Sequence, residues 1–147
     1  MTELPRLWHE FVAAHPECAA EQPEVEPFGD SREMADELAR LVLDGTKRAT
    51  ASPVVEGVPP SDAHWVLLDG RGEAVAVVET TEIRLGRLDS VDASFAWDEG
   101  EGDRTRDWWL DAHRGFFRRR HPDEADVDAM PTVFERFRVV WPPEVAD

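Results

Sequence analysis

The sequence predicts an α+β domain, and three observations carry that prediction. Apolar residues recur at helical spacing in three stretches, 3–14, 31–44 and 104–120. Two short β-rich runs, 64–69 and 74–83, flank Asp69-Gly70-Arg71-Gly72 in the manner of a hairpin. A last run, 132–141, alternates Phe137, Val139 and Trp141 with Arg136 and Arg138. The 147 residues suit one domain, and 41% hydrophobic content with 6 Trp and 7 Phe is enough for a core.

In order along the chain, Leu4, Leu7, Trp8, Phe11 and Val12 share one face of the first helix, 3–14. Residues 16–30 are acidic and Pro-rich, and read as a long connection without regular structure that wraps the surface or borders a site. Asp30 and Glu33 have capping-box spacing at the start of the second helix, 31–44, and Gly45 is placed to cap its end. The run Ala74-Val75-Ala76-Val77-Val78 is apolar on both faces and belongs in the middle of a sheet. Glu79 and Glu82 read as facing solvent where that strand leaves the sheet. Residues 90–97 suit a short helix, followed by the acidic run Asp98 to Asp103. In the third long helix, Trp108, Trp109, Ala112 and Phe116 form one face. Its six arginines stand against Asp107 and Asp111, a local excess of four positive charges. That excess either meets phosphate or pairs with the acidic surface around it. His113, near the aromatic face, is either a satisfied core histidine or a site residue.

The net charge of -16 disfavours non-specific binding to nucleic-acid phosphate, so no DNA partner is expected. One cysteine, Cys18, excludes an intrachain disulfide and a cysteine metal cluster. There is no EF-hand spacing, no zinc-type His/Asp/Glu set and no Gly-rich phosphate loop, so neither metal nor cofactor is expected. No apolar run reaches membrane-spanning length, and the N-terminus has no signal pattern; the expected location is cytoplasmic, away from membranes.

Of 16 basic residues, 15 are arginine, and Lys47 is the single lysine. It lies in Gly45-Thr46-Lys47-Arg48-Ala49-Thr50-Ala51-Ser52, just past a helix end that favours a cation. An amine near the Thr50 hydroxyl is one way to activate a weak nucleophile. Against a shared role stands the odd spacing, which sends the two side chains to opposite faces of a straight strand.

The ordered set of these features resembles the ASCH domain family, a branch of the PUA-like β-barrels. The family hallmark Gly-x-Lys-x-x-Thr stands as Gly45 to Thr50, with Ser52 where the common pattern has Arg. Phe28-Gly29-Asp30, the run Glu99-Gly100-Glu101-Gly102-Asp103, then Trp108, His113 and Phe116-Phe117 resemble a subgroup of small bacterial members. The likeness runs from about Phe28 to Val140 and implies one PUA-like small β-barrel with flanking α-helices. Some small ASCH proteins remove the acetyl group from N4-acetylcytidine; others are RNA-binding or RNA-cleaving. By position, the resemblance makes Lys47, Thr50 and Glu99 the expected catalytic set. Phe28, Arg48, Ser52, Glu101, Trp108 and His113 become the expected substrate contacts. The expected partner is a small nucleoside or modified nucleotide, with single-stranded RNA the alternative; a module that binds a nucleobase or modified nucleotide without catalysis is the third reading. In that chemistry Thr50 attacks an amide carbonyl and Lys47 takes its proton. This demands a lysine pKa lowered by burial or by a cation such as Arg48. An electrophilic role for a protonated Lys47 is the other possibility.

Overall fold

A computed structural model describes residues 3–147. In chain order its main elements are α1 (Arg6–Ala14), β1 (Glu24–Pro27), α2 (Arg32–Leu43), β2 (Ala49–Pro53), β3 (His64–Leu68), β4 (Ala74–Arg87), α3 (Ala93–Glu99), α4 (Arg106–Arg120) and β5 (Pro131–Trp141). The strands form one mixed sheet in the order β1-β3-β4-β5-β2, curled into a half-barrel. Only the β1–β3 pair is parallel; the other pairs are antiparallel.

Both faces of the sheet are covered. Trp8 and Phe11 of α1 pack on Val66 and Val77. Leu38, Ala39 and Val42 of α2 pack on Leu67, Ala76, Val78, Phe137 and Val139. Neighbouring residues of β4 thus serve opposite cores, which is why that run is apolar on both faces. At the far end, Phe95, Trp109, Leu110 and Phe117 of α3 and α4 close over Ala49 and Phe134.

Local chemistry explains the boundaries. Gly45 takes φ +91°, and the amides of Gly45 and Thr46 return to the carbonyls of Val42 and Leu41, a Schellman end to α2. Asp69 Oδ1 accepts from the amides of Arg71 and Glu73 and shapes the hairpin turn. Asp92 and Thr105 cap α3 and α4.

Three expectations are corrected. The connection 16–30 is not wholly irregular, because Glu24–Pro27 pairs with β3 as an edge strand. Its pattern hid this, since only Val25 packs inward and Pro27 is tolerated at an edge. The cap of α2 is Ser31, whose side chain accepts from the Met34 amide, while Asp30 pairs with Arg119. Glu79 and Glu82 do more than face solvent: Glu79 lies against His64 and Arg138, and Glu82 against Arg136.

Candidate functional site

The segment Thr46–Arg48 is pinned from three sides. The Lys47 amide bonds the Leu41 carbonyl of α2. Arg48 donates its amide to the Asp98 carbonyl of α3 and accepts from the Phe137 amide of β5. Gly100 ends α3 at φ +71°, and a Cβ there would come within 2.5 Å of the Thr46 carbonyl oxygen. Only glycine permits both the conformation and the approach. The result is that the Lys47 side chain runs into the protein beside Glu99 and Glu101.

Lys47 is only 1% exposed, as is Glu99. The ammonium has three acceptors at close range: Ala49 O at 2.7 Å, Glu101 Oε2 at 2.8 Å and Glu99 Oε1 at 2.9 Å. The other oxygen of Glu99 accepts from the Trp109 indole and faces His113 Nε2 at 3.0 Å. His113 Nδ1 meets the Trp109 carbonyl at 2.9 Å, and its ring stacks on Trp109. Both ring nitrogens therefore face pure acceptors, the pattern of an imidazolium. Two cations and two carboxylates share one buried cluster.

The pKa directions agree with that pattern. Burial pulls the lysine down, but Glu101 and Glu99 outweigh it and hold the ammonium above its ordinary value. Burial also opposes ionisation of Glu99, yet Lys47 and His113 bring it down to about 2. Burial lowers His113, and Glu99 more than restores it. The lowered lysine pKa that a base at Lys47 demands is thus corrected: charge compensation wins over desolvation. Arg48 does not lower it either, because its guanidinium is bound to Asp147 and to the carbonyls of Val42 and Lys47. Glu99, Glu101 and His113 stand close enough to ligate a metal. The Lys47 ammonium already provides the cation between the two carboxylates.

Glu99 has a depressed folded pKa, so the stability it contributes is complete above its ordinary value of 4.5 and is lost as pH falls through about 2. The wild type is expected to lose melting temperature progressively across that window. Glu99→Gln should melt lower at neutral pH and lose less on acidification. Melting curves at a series of pH values check this; an equal acid loss in both proteins would refute it.

Beside the cluster lies an open cleft of about 1010 Å³. Phe28, Thr50 and Ser52 line it, with Trp65, Thr80, Phe116 and Glu135. The Lys47 ammonium lies 5.1 Å from the Phe28 ring centre, behind that wall. The structure thus divides the nine expected residues into three groups. Phe28, Thr50 and Ser52 face the cleft; Lys47, Glu99, Glu101 and His113 form the buried cluster; Arg48 and Trp108 serve elsewhere. Arg48 anchors the C-terminal Asp147, and Trp108 packs over Gly102. Lys47 precedes β2 rather than sharing a strand with Thr50. Its tie to Thr50 is through the Ala49 carbonyl it binds.

Two buried polar residues of the cleft escaped the sequence reading, Glu135 and Thr80. Thr80 Oγ1 donates to Glu135 Oε2 at 2.5 Å. The available signal was Glu135 itself, which stands two residues before Phe137 on the inward face of β5.

A family model for the ASCH domain matches residues 24–141. A crystal structure of an Enterococcus faecalis protein of the DUF984 family superposes with a TM-score of 0.82 at 31% identity, covering 91% of this chain and 85% of that one. The crystal structure of an ASCH domain from Lactobacillus crispatus superposes with a TM-score of 0.81 at 26% identity, covering 90% of this chain and 91% of that one. No curated protein sequence matches the chain.

Proposed function

The chain belongs to the ASCH domain family, and from that premise we propose that it hydrolyses an acyl amide on an uncharged small ligand, an acylated nucleoside such as N4-acetylcytidine. The Thr50 hydroxyl is the nucleophile in this reading. One observation carries it: Thr50 lies in a cleft whose walls are aromatic and acidic, directly over the charged cluster that holds Ala49. Phe28, Trp65 and Phe116 offer surfaces for a flat base. Glu21, Glu24, Glu26, Glu56, Asp62 and Glu135 line the same cleft against Arg120 alone among the lysines and arginines. That excess repels a phosphate chain and leaves a neutral nucleoside unaffected.

Lys47 and Glu99 act here as positioning groups. The ammonium is fully engaged as a donor and has no lone pair for a proton. Its bond to the Ala49 carbonyl sets the backbone immediately before the nucleophile. The test is to incubate the pure protein with N4-acetylcytidine and separately with single-stranded RNA, and to separate the products chromatographically. Cytidine and acetate are expected from the first and intact RNA from the second. A folded protein that binds nucleosides without turnover would replace hydrolysis with ligand binding.

The arginine-rich helix favours the same outcome for RNA. Arg114 pairs with Asp128, Arg119 with Asp30, and Arg120 with Glu56. Arg106 donates to the carbonyls of Val91 and Asp89, and Arg104 to that of Trp97. Acidic neighbours and backbone already engage five of the six arginines of the 104–120 stretch. RNA retention on a filter at low salt is expected to be undetectable in the wild type and in the triple variant Arg118→Ala, Arg119→Ala, Arg120→Ala alike. Retention that falls steeply with salt, and is lost in the variant, would restore an RNA-binding role.

A further inference from the structure

The residue best placed to exchange a proton with Thr50 lies across the sheet from it. Thr50 and Glu135 are direct partners in the β2–β5 pairing. Such partners share a face, with β-carbons about 5 Å apart. Both line the cleft. Glu135 is only 3% exposed, and its Oε2 is held by the Thr80 hydroxyl at 2.5 Å. A carboxylate accepts several hydrogen bonds, so this one leaves capacity for another donor. Lys47 is committed as a donor, and Glu99 is bound by Lys47, Trp109 and His113. Neither is free to take a proton from Thr50.

We propose that Glu135 is the proton-accepting residue of this site and Thr80 its positioning residue, an inference that rests on the hydrolase reading. As Thr50 Oγ1 bonds to the carbonyl carbon of the acyl amide, its proton passes to Glu135 and the carbonyl electrons move onto oxygen. When that pair returns, the carbon–nitrogen bond breaks and Glu135 gives the proton to the leaving nitrogen. Water then attacks the threonyl ester, and its proton passes to Glu135. The ester carbon–oxygen bond breaks, and the proton returns to Thr50 Oγ1. One water is consumed, and one amine and one carboxylic acid are released. Among the described residues no hydrogen bond joins Thr50 and Glu135 without substrate, and contacts of this kind tighten when substrate binds.

The surroundings suit the role. Burial raises the Glu135 pKa, the Thr80 hydroxyl lowers it, and the Glu26 carboxylate raises it further. A carboxyl poised above its usual range is a better base near neutral pH. The other charges on the cleft wall are largely paired: Glu56 with Arg120 and His121, and His64 with Glu21 and Glu79. Glu24 of β1 and Asp62 of the segment before β3 are the remaining carboxylates of the lining. They add negative charge to the same cleft.

The experiment compares wild type, Glu135→Gln and Thr80→Val on N4-acetylcytidine from pH 5 to 9. Binding is followed separately through the fluorescence of the cleft tryptophan, and folding by thermal melt. Glu135→Gln should lower kcat about a hundredfold or more with nucleoside affinity within about threefold. Thr80→Val should stay active, with the acid limb of kcat/KM displaced to higher pH, because the bond that lowers the Glu135 pKa is gone. A folded Glu135→Gln protein that turns over near the wild-type rate, or an unmoved limb in Thr80→Val, would overturn the assignment. A wild type that binds nucleosides and hydrolyses none fails before any variant is compared. That outcome removes the hydrolase reading and this inference together.

Discussion

Lys47→Met is expected to cost about 3–5 kcal/mol of stability, the scale of breaking a buried ion pair by removing one partner. The methionine fills much of the same volume, so the loss is electrostatic. Without the ammonium, Glu99 and Glu101 face each other in a site where Glu99 is only 1% exposed. The Ala49 carbonyl also loses its donor. A domain of this size holds about 5–15 kcal/mol in all, so the variant should be marginal or unfolded at 37 °C. Lys47→Arg keeps the charge but not the geometry. Three acceptors surround one tetrahedral nitrogen, and a larger planar fork meets them poorly. Overpacking adds about 1–3 kcal/mol. A cation that merely complemented the end of α2 would be replaceable by arginine within about 1 kcal/mol. Urea unfolding of the three proteins separates these accounts, and a Lys47→Arg midpoint equal to wild type would refute the buried-cluster account.

The largest effect on turnover is expected at Thr50. Thr50→Ala should reduce hydrolysis of an acylated cytidine about a thousandfold or more, the range in which nucleophile removal falls in acyl-transfer enzymes. Thr50→Ser should keep part of the rate, because only the hydroxyl is required by the chemistry. Neither change touches the charged cluster, since Lys47 binds the backbone of Ala49 and not the Thr50 side chain. Melting temperatures should therefore stay near wild type. Rates measured beside melts give the answer: an active, folded Thr50→Ala protein would remove Thr50 from the chemistry.

Gly45 as a helix end and the turn at Asp69 depend on hydrogen bonds between residues a few positions apart. Such bonds follow from residue type and spacing. The conspicuous use of one lysine, and the grouping of Glu99, Glu101 and His113 in the family pattern, likewise lie in the linear order of the chain. Each of these four residues proves to belong to one cluster. The edge strand Glu24–Pro27 was not legible, because its pairing partner comes from β3 and its own residues carry little apolar signal.

Residue types and local spacing thus settled the α+β class, most element boundaries and the residues around which the cluster forms. Charge state and proximity were decided by the folded chain. Whether burial or a neighbouring carboxylate governs the Lys47 pKa depends on how completely α3 and α2 close around it, and the two effects have opposite signs. The approach of Glu135 to Thr50 depends on the register of β2 against β5, where a slip of one residue would turn either side chain to the other face. That register is held by packing on both sides of the sheet, between residues distant in sequence.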